Sequence, residues 1–437
     1  MRPISVLFTN NALRQRAGSE IYVRDVAMAL QRRGHRPMAF SLVLGPVADE
    51  LRAATIPVVD DVTRIGERPD VIHGHHHIET LIAALAFPDT PIVNFCHGWV
   101  PWEEMPLVHP AVRRYVAVDE VCVDRLVREE GIAPERIELL LNFVDLDRFR
   151  SRPPLPEQPK RALVLSNAAT ADGYARVIAE ACQSSGIVLD IVGVASGNVS
   201  AAPETLLAGY DLVFAKGRTV LEALAVGCAT VLADRAGAGP LVTPENYERL
   251  RRRNFGIREL QHAHDVAWYR QQIAQYRSSA AAEVSRRVRD EAGMQPAIER
   301  LIAIYEAAMA APSGPGDGAE AAARHLSRIA GQLKEAYGIR ARLEETSADL
   351  ALARSELDAA AQRARALESS VRVLEQQLRA REHELSEMRD EEQALRGQIA
   401  AVQSVATLRI RDAVLKVPIV GPAMHAGARR LAQLIRS

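Results

Sequence analysis

The chain has 437 residues, of which 48% are hydrophobic and 25% are charged, and its formal net charge is −1. This length and composition allow two or three domains with hydrophobic cores and exclude an intrinsically disordered protein, while the balanced charge gives no indication of nucleic acid as a partner. The four cysteines are widely spaced and form no CxxC pair, which argues against a disulfide framework and a cysteine zinc site.

Residues 1–149 alternate strand-like and helical segments. The strand ISVLF, too short for the core of a signal peptide, precedes an amphipathic helix over 20–33. Further strands follow as PMAFSLVLG, VIHGH, PIVNFCHG, YVAV and IELLL. This alternation predicts a doubly wound, Rossmann-like α/β domain.

Two groups of residues in this domain are candidates for ligand binding. Gly18 opens a helix after the first strand, where backbone can approach an anion, and Ser19 can cap that helix; the turn lacks the GxGxxG spacing of nicotinamide-binding folds. Histidines end the strands VIHGHHH and FCHG. No cluster of carboxylates or cysteines accompanies them, so we predict hydrogen bonding to a sugar or phosphate and no metal site. Asp145 and Asp147 have the spacing of a metal-binding DxD but directly precede a linker, and we interpret them as structural.

A Pro-rich linker over 150–160 separates this domain from a second α/β pattern over 161–310. Its strands are ALVLSN, VLDIVG, DLVFA and ATVLAD, and the chain becomes helical after about 257. Two α/β domains joined by a hinge form a cleft, which is a common ligand site.

The segment AKGRTVLEALAVGCATVLAD places Glu222 near the start of an apolar helix. Thr219 and Glu222 have the spacing of a capping box, in which each side chain binds a backbone N–H at the helix start. A strand, a short loop and a helix N-terminus also form the usual ligand-binding edge of an open α/β sheet. Both interpretations of Glu222, as a cap and as a ligand-binding carboxylate, remain open at this point.

The last third of the chain predicts a long helix. After a flexible linker over 311–323, a heptad repeat runs through 324–405: eight of nine positions at seven-residue spacing from Leu343 to Ile399 are apolar, as are seven of nine from Thr346 to Val402. This pattern predicts a coiled coil and a homodimer, most simply parallel; the alternative is one amphipathic helix folded back on the preceding domains.

The basic amphipathic tail over 406–437 suits either an anionic membrane surface or a partner-docking or solvated segment. The chain has no run of 18 uninterrupted apolar residues. We therefore expect a cytoplasmic protein, with peripheral contact at the inner face of the membrane if the tail binds lipid.

Three segments of the chain resemble segments of a known family. LFTNNALRQRAGSEIYVRDVAMALQRRGHRP resembles the opening of family-4 glycosyltransferases of the GT-B fold. YVAVDEVCVDRLVREEGIAPERIELLLNFVDLDRF resembles the segment before its domain linker, with Asn142, Val144, Asp145 and Phe149 at matching places. GRTVLEALAVGCATVLAD resembles the donor-site helix, with Glu222 as the second glutamate of the family's two-glutamate motif. The resemblance extends over about 1–285 and excludes the coiled coil and tail.

The resemblance implies a retaining transfer of a sugar from a nucleotide-sugar co-substrate, with no metal or other cofactor. The N-terminal domain would bind a saccharide or lipid-linked acceptor, as in cell-surface polysaccharide synthesis, and the second domain the donor. Glu222 would hold the donor ribose, His97 would lie beside the transferred sugar, and Gly18 would let backbone amides meet the diphosphate. The catalytic candidates are thus His97 and Glu222, and the donor-binding candidates are Gly18, Ser19, Lys216, Gly217, Arg218 and Thr219.

The sequence also departs from the family pattern. Phe214 stands where the family has its first glutamate, and Ser166 and Asn167 replace the usual arginine and lysine after the first strand of the second domain. We hypothesise that Lys216 and Arg218 supply the missing phosphate-binding charge. The alternative function is a catalytically inactive GT-B-like scaffold that organises an envelope-polysaccharide assembly through its coiled coil; no specific motif supports a third option, a nucleotide-sugar epimerase of the same fold.

Overall fold

The structure, a computed structural model, describes residues 2–200, 202–314 and 316–415. The strands are β1 (Ser5–Thr9), β2 (Ala12–Leu13), β3 (Arg36–Phe40), β4 (Val43–Leu44), β5 (Val58–Val59), β6 (Val71–Gly74), β7 (Ile92–Cys96), β8 (Val112–Ala117), β9 (Ile137–Leu139), β10 (Arg161–Leu165), β11 (Val188–Val192), β12 (Leu212–Ala215), β13 (Ala229–Asp234) and β14 (Gly237–Leu241). The helices are α1 (Gly18–Arg32), α2 (Pro46–Ala53), α3 (His77–Ala86), α4 (Glu120–Arg128), α5 (Tyr174–Ser184), α6 (Pro203–Leu207), α7 (Arg218–Val226), α8 (Tyr247–Arg252), α9 (Val266–Ala274), α10 (Ser278–Glu291), α11 (Met294–Ala310) and α12 (Gly318–Leu415).

A seven-stranded parallel sheet organises the N-terminal domain, in the order β5-β3-β1-β6-β7-β8-β9. Strands β1, β6 and β7 are buried along their whole length, because helices cover both faces of the sheet. The chain moves outward from β1 through β3 to β5 and then returns to β6, so the strand order reverses between β1 and β6. This reversal point is where open α/β sheets bind ligands.

The second domain contains a five-stranded sheet in the order β11-β10-β12-β13-β14. The first four strands are parallel, and β14 is antiparallel to β13. Apolar cores lie on both faces of this sheet, one around α7 and one around α5 and α9. The strand order again reverses between β10 and β12. The predicted fold class, two doubly wound α/β domains followed by a long helix, is confirmed.

The chain crosses back to the N-terminal domain after α10. Helix α10 packs on α7, whereas α11 buries Ile298, Leu301 and Tyr305 in the core beside α1 and the first sheet. The crossing is made at Gly293, which pairs with Val144 in an isolated parallel bridge. Helix α11 thus lies within the range predicted for the C-terminal domain but packs in the N-terminal core.

Helix α12 begins inside the predicted linker over 311–323. Its first turns bury Ala322, His325 and Ile329 against the N-terminal domain, within a compact unit that extends to Gly331. Residues from Gln332 onward form a separate unit. None of the described side chains over 332–413 is buried, and the apolar heptad positions are exposed, as for Leu343 (64%) and Leu357 (69%).

Within the described part of the chain, no helix has the length and apolar composition needed to cross a lipid bilayer. The basic tail predicted over 406–437 begins within α12, and residues 416–437 lie outside the described residues.

Candidate active site between the two domains

A cavity of about 250 Å³ lies between the two α/β domains. The N-terminal domain contributes Arg16 and the start of α1, and the second domain contributes the loops after β10 and β11 and the start of α7. The polar and glycine residues that line it are Arg16, Gly18, Arg148, Ser166, Asn167, Gly193, Ser200, Arg218, Thr219 and Glu222. The cavity therefore brings together Gly18, Arg218, Thr219 and Glu222 from the candidates predicted by sequence.

Two glycines bring backbone close to this cavity for different reasons. Gly193 has φ +156°, and a Cβ there would lie 1.9 Å from the carbonyl oxygen of Ser166, so no larger residue fits without moving the wall. At Gly18 a Cβ would meet nothing within 4 Å. An alanine at Gly18 would therefore be compatible with the fold but would project a methyl group into open space beside the cavity.

Arg218 links the two domains through two carboxylates. Its Nε donates to Glu222 Oε1 at 2.9 Å, one turn further along α7, and its Nη2 donates to Asp25 on α1 of the N-terminal domain. All three side chains are largely buried, with 14% of Arg218, 10% of Glu222 and 7% of Asp25 exposed. A continuous chain of alternating charges therefore runs across the cleft.

The electrostatic interactions among Asp25, Arg218 and Glu222 favour the charged forms of Arg218 and Asp25. Burial opposes ionisation of Asp25, but attraction from Arg218 and Arg24 outweighs it and lowers the pKa of Asp25. Burial likewise opposes the charge of Arg218, but Asp25 and Glu222 together raise its pKa. For Glu222, burial raises the pKa and Arg218 offsets only part of the increase. Asp25 is thus the stronger of the two anionic partners of Arg218.

The two helix-capping predictions are wrong. Helix α7 begins at Arg218, one residue before Thr219, because Gly217 with its φ of +65° occupies the N-cap position, and no side chain caps the helix. Glu222 consequently bonds to Arg218 instead of a backbone N–H. Helix α1 begins at Gly18 without a side-chain cap, and Ser19 donates its hydroxyl hydrogen to Glu20 Oε2 at 3.1 Å.

The side chains of Lys216 and Phe214 do not line the interdomain cavity. Lys216 Nζ lies 3.1 Å from Asp234 of its own domain and does not line the cavity, so it is not placed to bind a ligand there. Phe214 is fully buried, with its ring edge-on to Tyr269 at 5.7 Å. In this chain the position of the family's first glutamate is therefore part of the hydrophobic core.

Asp145 accepts the backbone N–H groups of Asp147 and Arg148, as its predicted structural role requires.

Histidines and a tyrosine form a buried cluster at the carboxyl ends of β6 and β7. His73 Nε2 lies 2.6 Å from His75 Nε2, which lies 3.4 Å from His97 Nε2. The ring of Tyr22 on α1 stands edge-on to His97, with centroids 4.8 Å apart. Among the described residues, no group of histidine, cysteine, aspartate or glutamate side chains has an arrangement suited to a metal ion.

Burial keeps these imidazoles neutral at pH 7. Desolvation lowers the pKa of His73 and His75 well below the ordinary value, with a further contribution from neighbouring histidines. The pKa of His97 falls to about 4 and that of His77 to about 3, mainly through burial. A neutral imidazole has one N–H donor and one acceptor, so His97 offers a hydrogen bond without a positive charge.

Glu104 supports the loop that carries His97. Its Oε2 accepts the backbone N–H of His97 at 3.0 Å, and its Oε1 lies 3.4 Å from His76 Nε2. His76 has a positive φ of 60°, an unusual conformation for a residue with a side chain, and its Nδ1 accepts the backbone N–H of Asn11. These contacts join the loops after β1, β6 and β7.

Sequence reasoning missed Tyr22, Asp25 and Glu104. The sequence could have indicated Tyr22 and Asp25, because Gly18, Tyr22 and Asp25 have the i, i+4, i+7 spacing that places residues on one face of a helix. Glu104 lies in a short 3₁₀ turn, and nothing in its local sequence relates it to the histidines.

The profile of Glycosyltransferase Family 4 matches residues 16–148, from the cavity arginine before α1 to the segment before the linker. The N-terminal domain is thus similar to Glycosyltransferase Family 4 over almost its whole length. No curated protein sequence matches the chain significantly.

Solved structures similar to this chain align with well over half of its length. A glycosyltransferase from Rickettsia africae ESF-5 aligns with TM-score 0.52 at 13% identity, over 71% of this chain and 100% of that one. Anabaena Alr3699/HepE in complex with UDP and glucose aligns with TM-score 0.52 at 14% identity, over 69% and 99%. The same Anabaena protein in complex with UDP-glucose aligns with TM-score 0.51 at 13% identity, over 70% of this chain and 100% of that one. At these identities the likeness establishes the fold, which is GT-B.

The charge chain across the cleft makes a testable contribution to stability. Asp25→Asn removes the N-terminal carboxylate, leaves Arg218 buried with one anionic partner and weakens the bonds from buried Arg24 to the same group, so we expect the free energy of unfolding at pH 7 to fall by about 3 kcal/mol. Urea unfolding of the full chain measures this loss. Asp49→Asn is the control, because the Asp49 side chain is 73% exposed. Equal effects of the two substitutions would contradict the role assigned to Asp25.

Proposed function

We propose that this protein is a retaining, metal-independent glycosyltransferase that moves a sugar from a nucleotide-sugar to a saccharide or lipid-linked acceptor in cell-surface polysaccharide synthesis. The observation that carries the proposal is the interdomain cavity, which joins the open backbone at Gly18 to the carboxylate of Glu222. The family-4 domain and the GT-B fold support a role in sugar transfer.

The donor is a nucleotide-sugar with its nucleotide on the second domain. The Anabaena protein of the same fold is described with UDP and glucose and with UDP-glucose, which supports this class of donor. Glu222 lines the cavity and is suited to accept hydrogen bonds from two ribose hydroxyls. Arg218 holds this carboxylate in place through the bond to Oε1. Ser166, Asn167 and Thr219 add neutral polar groups to the same wall.

His97 is the proposed catalytic residue on the N-terminal side. The backbone bond to Glu104 and the edge contact with Tyr22 fix its position, and burial keeps its ring uncharged at pH 7. A neutral imidazole N–H can bind a hydroxyl of the transferred sugar and stabilise the charge that develops as the glycosidic bond to phosphate breaks. The acceptor would enter beside His97.

The second candidate function is the inactive scaffold. Two observations favour it: the buried Phe214 in place of a glutamate, and the neutral Ser166 and Asn167 in place of a cationic pair. In that case the exposed heptad face of α12 would carry the function by binding partners.

We also propose that α12 forms a parallel homodimeric coiled coil within the predicted range 324–405. It would start after Gly331, because the heptad positions His325 and Ile329 are already buried in the compact unit that ends there. Every described side chain over 332–413 is unburied, including apolar residues at the heptad positions, and pairing with a second copy would remove this apolar area from water. Peripheral contact with the membrane through 406–437 stays a proposal that rests on the basic composition of that segment.

Nucleotide-sugar binding is tested by thermal unfolding of the full chain with UDP-, GDP-, ADP- and dTDP-sugars. A donor at about 100 times its dissociation constant stabilises the native state by about 2.7 kcal/mol, which raises the unfolding midpoint. We expect one nucleotide class to do so and Glu222→Gln to abolish the effect. Glu248→Gln is the control, because that side chain is 60% exposed on α8. No shift with any donor would favour the scaffold.

Dimerisation is tested by sedimentation equilibrium of two double variants. Leu350→Asp with Val371→Asp places charges at two positions of the apolar series from Leu343 to Ile399, which would form the dimer interface, and should convert the dimer to a monomer. Leu352→Asp with Val373→Asp makes the same chemical change two residues further along, and it should leave the dimer intact. The four side chains are similarly exposed in the single chain (54%, 52%, 62% and 50%), so only their heptad position differs. A monomeric wild-type chain would refute the dimer.

A further inference from the structure

Two arginines besides Arg218 line the cavity between the domains. Arg16 belongs to the loop before α1, and Arg148 belongs to the segment that leads into the linker. Both also border an adjoining cavity of about 310 Å³, where Glu50 and Glu204 face them. The two arginines therefore lie where the interdomain cavity meets the adjoining one.

The three arginines differ in how firmly the protein holds them. Arg218 makes hydrogen bonds to both Asp25 and Glu222. Nη1 of Arg148 lies 3.5 Å from Asp25 Oδ1, and its buried Nε lies 3.4 Å from Glu204 Oε2 without making a hydrogen bond among the described residues. The guanidinium also lies over the ring of Phe149 at 4.7 Å, which positions it without using its N–H groups. Arg148 can therefore exchange its carboxylate contacts for those of another anion.

Arg16 is also available to an anion. Its Nη1 lies 2.6 Å from Glu50 Oε1, but Glu50 also binds Arg24 at 2.8 Å, so one carboxylate is shared between two guanidinium groups. The side chain of Arg16 is 35% exposed, and the pair is therefore accessible to solvent. Arg16 consequently keeps donor capacity that Glu50 does not use.

We propose that Arg16 and Arg148 bind the diphosphate group of the nucleotide-sugar, a task for which Lys216 is misplaced and Arg218 already committed. This inference rests on the proposed function, because it assumes that the cavity takes such a donor. A guanidinium group matches phosphate oxygens with two parallel N–H bonds, and two of them compensate the negative charge of a diphosphate. The neutral Ser166 and Asn167 opposite do not supply that charge.

The test is calorimetric titration of the full chain with UDP, GDP, ADP and dTDP at several salt concentrations. For the nucleotide that binds the wild type, Arg16→Gln and Arg148→Gln should each weaken binding at least about tenfold. Each should also flatten the dependence of affinity on salt, because one ionic contact is lost. Arg14→Gln and Arg150→Gln, at exposed neighbouring arginines, should change neither quantity.

Each outcome decides one point. Unchanged affinity in the Arg16→Gln and Arg148→Gln variants would overturn this inference while leaving the proposed function intact. Weaker binding with an unchanged salt dependence would also overturn it, since it would indicate an altered cavity shape. If none of the four nucleotides binds the wild-type chain, the proposed function and this inference fail together.

Discussion

The cleft depends on one buried cation that neither domain can satisfy alone. Arg218 begins α7 of the second domain, where Glu222 supplies one carboxylate, and its other partner, Asp25, comes from α1 of the N-terminal domain. A buried guanidinium without adequate partners is costly, so separation of the domains at this point is opposed by the loss of Asp25. Arg218 also fixes the Glu222 carboxylate that we assign to the donor.

Helix α1 connects this constraint to the rest of the site. One face of the helix carries Gly18 at the cavity, Tyr22 against His97, and Asp25 on Arg218. Because these residues share one rigid helix, the distance between the nucleotide side and the histidine cluster is set by helix geometry. Glu104 then fixes His97 by accepting its backbone N–H. Gly18, Tyr22 and Asp25 are therefore held on a regular helix, whereas His97 is held on a loop by its bond to Glu104 in a short 3₁₀ turn.

The parts of this arrangement that follow from local pattern could be predicted from sequence. The alternation of strands and helices predicted the two doubly wound domains. The strand–loop–helix pattern around Glu222 predicted that this carboxylate lies at the edge of the second sheet. The pairing of Asp25 with Arg218 joins residues 193 positions apart and has no local signature. The capping box failed because the positive φ of Gly217 moved the helix start. The return of α11 to the first domain likewise depends on tertiary packing.

The family-4 match covers the N-terminal domain, whereas the departures lie in the second domain, at Phe214 and the loop after β10. Chemistry in the second domain can be tested without knowing the acceptor. The measurement is release of nucleoside diphosphate from a bound nucleotide-sugar incubated with the full chain in water. A transferase predicts slow release from one donor class that is lost in His97→Ala. A donor that binds and remains intact after prolonged incubation would contradict the transferase and favour the scaffold.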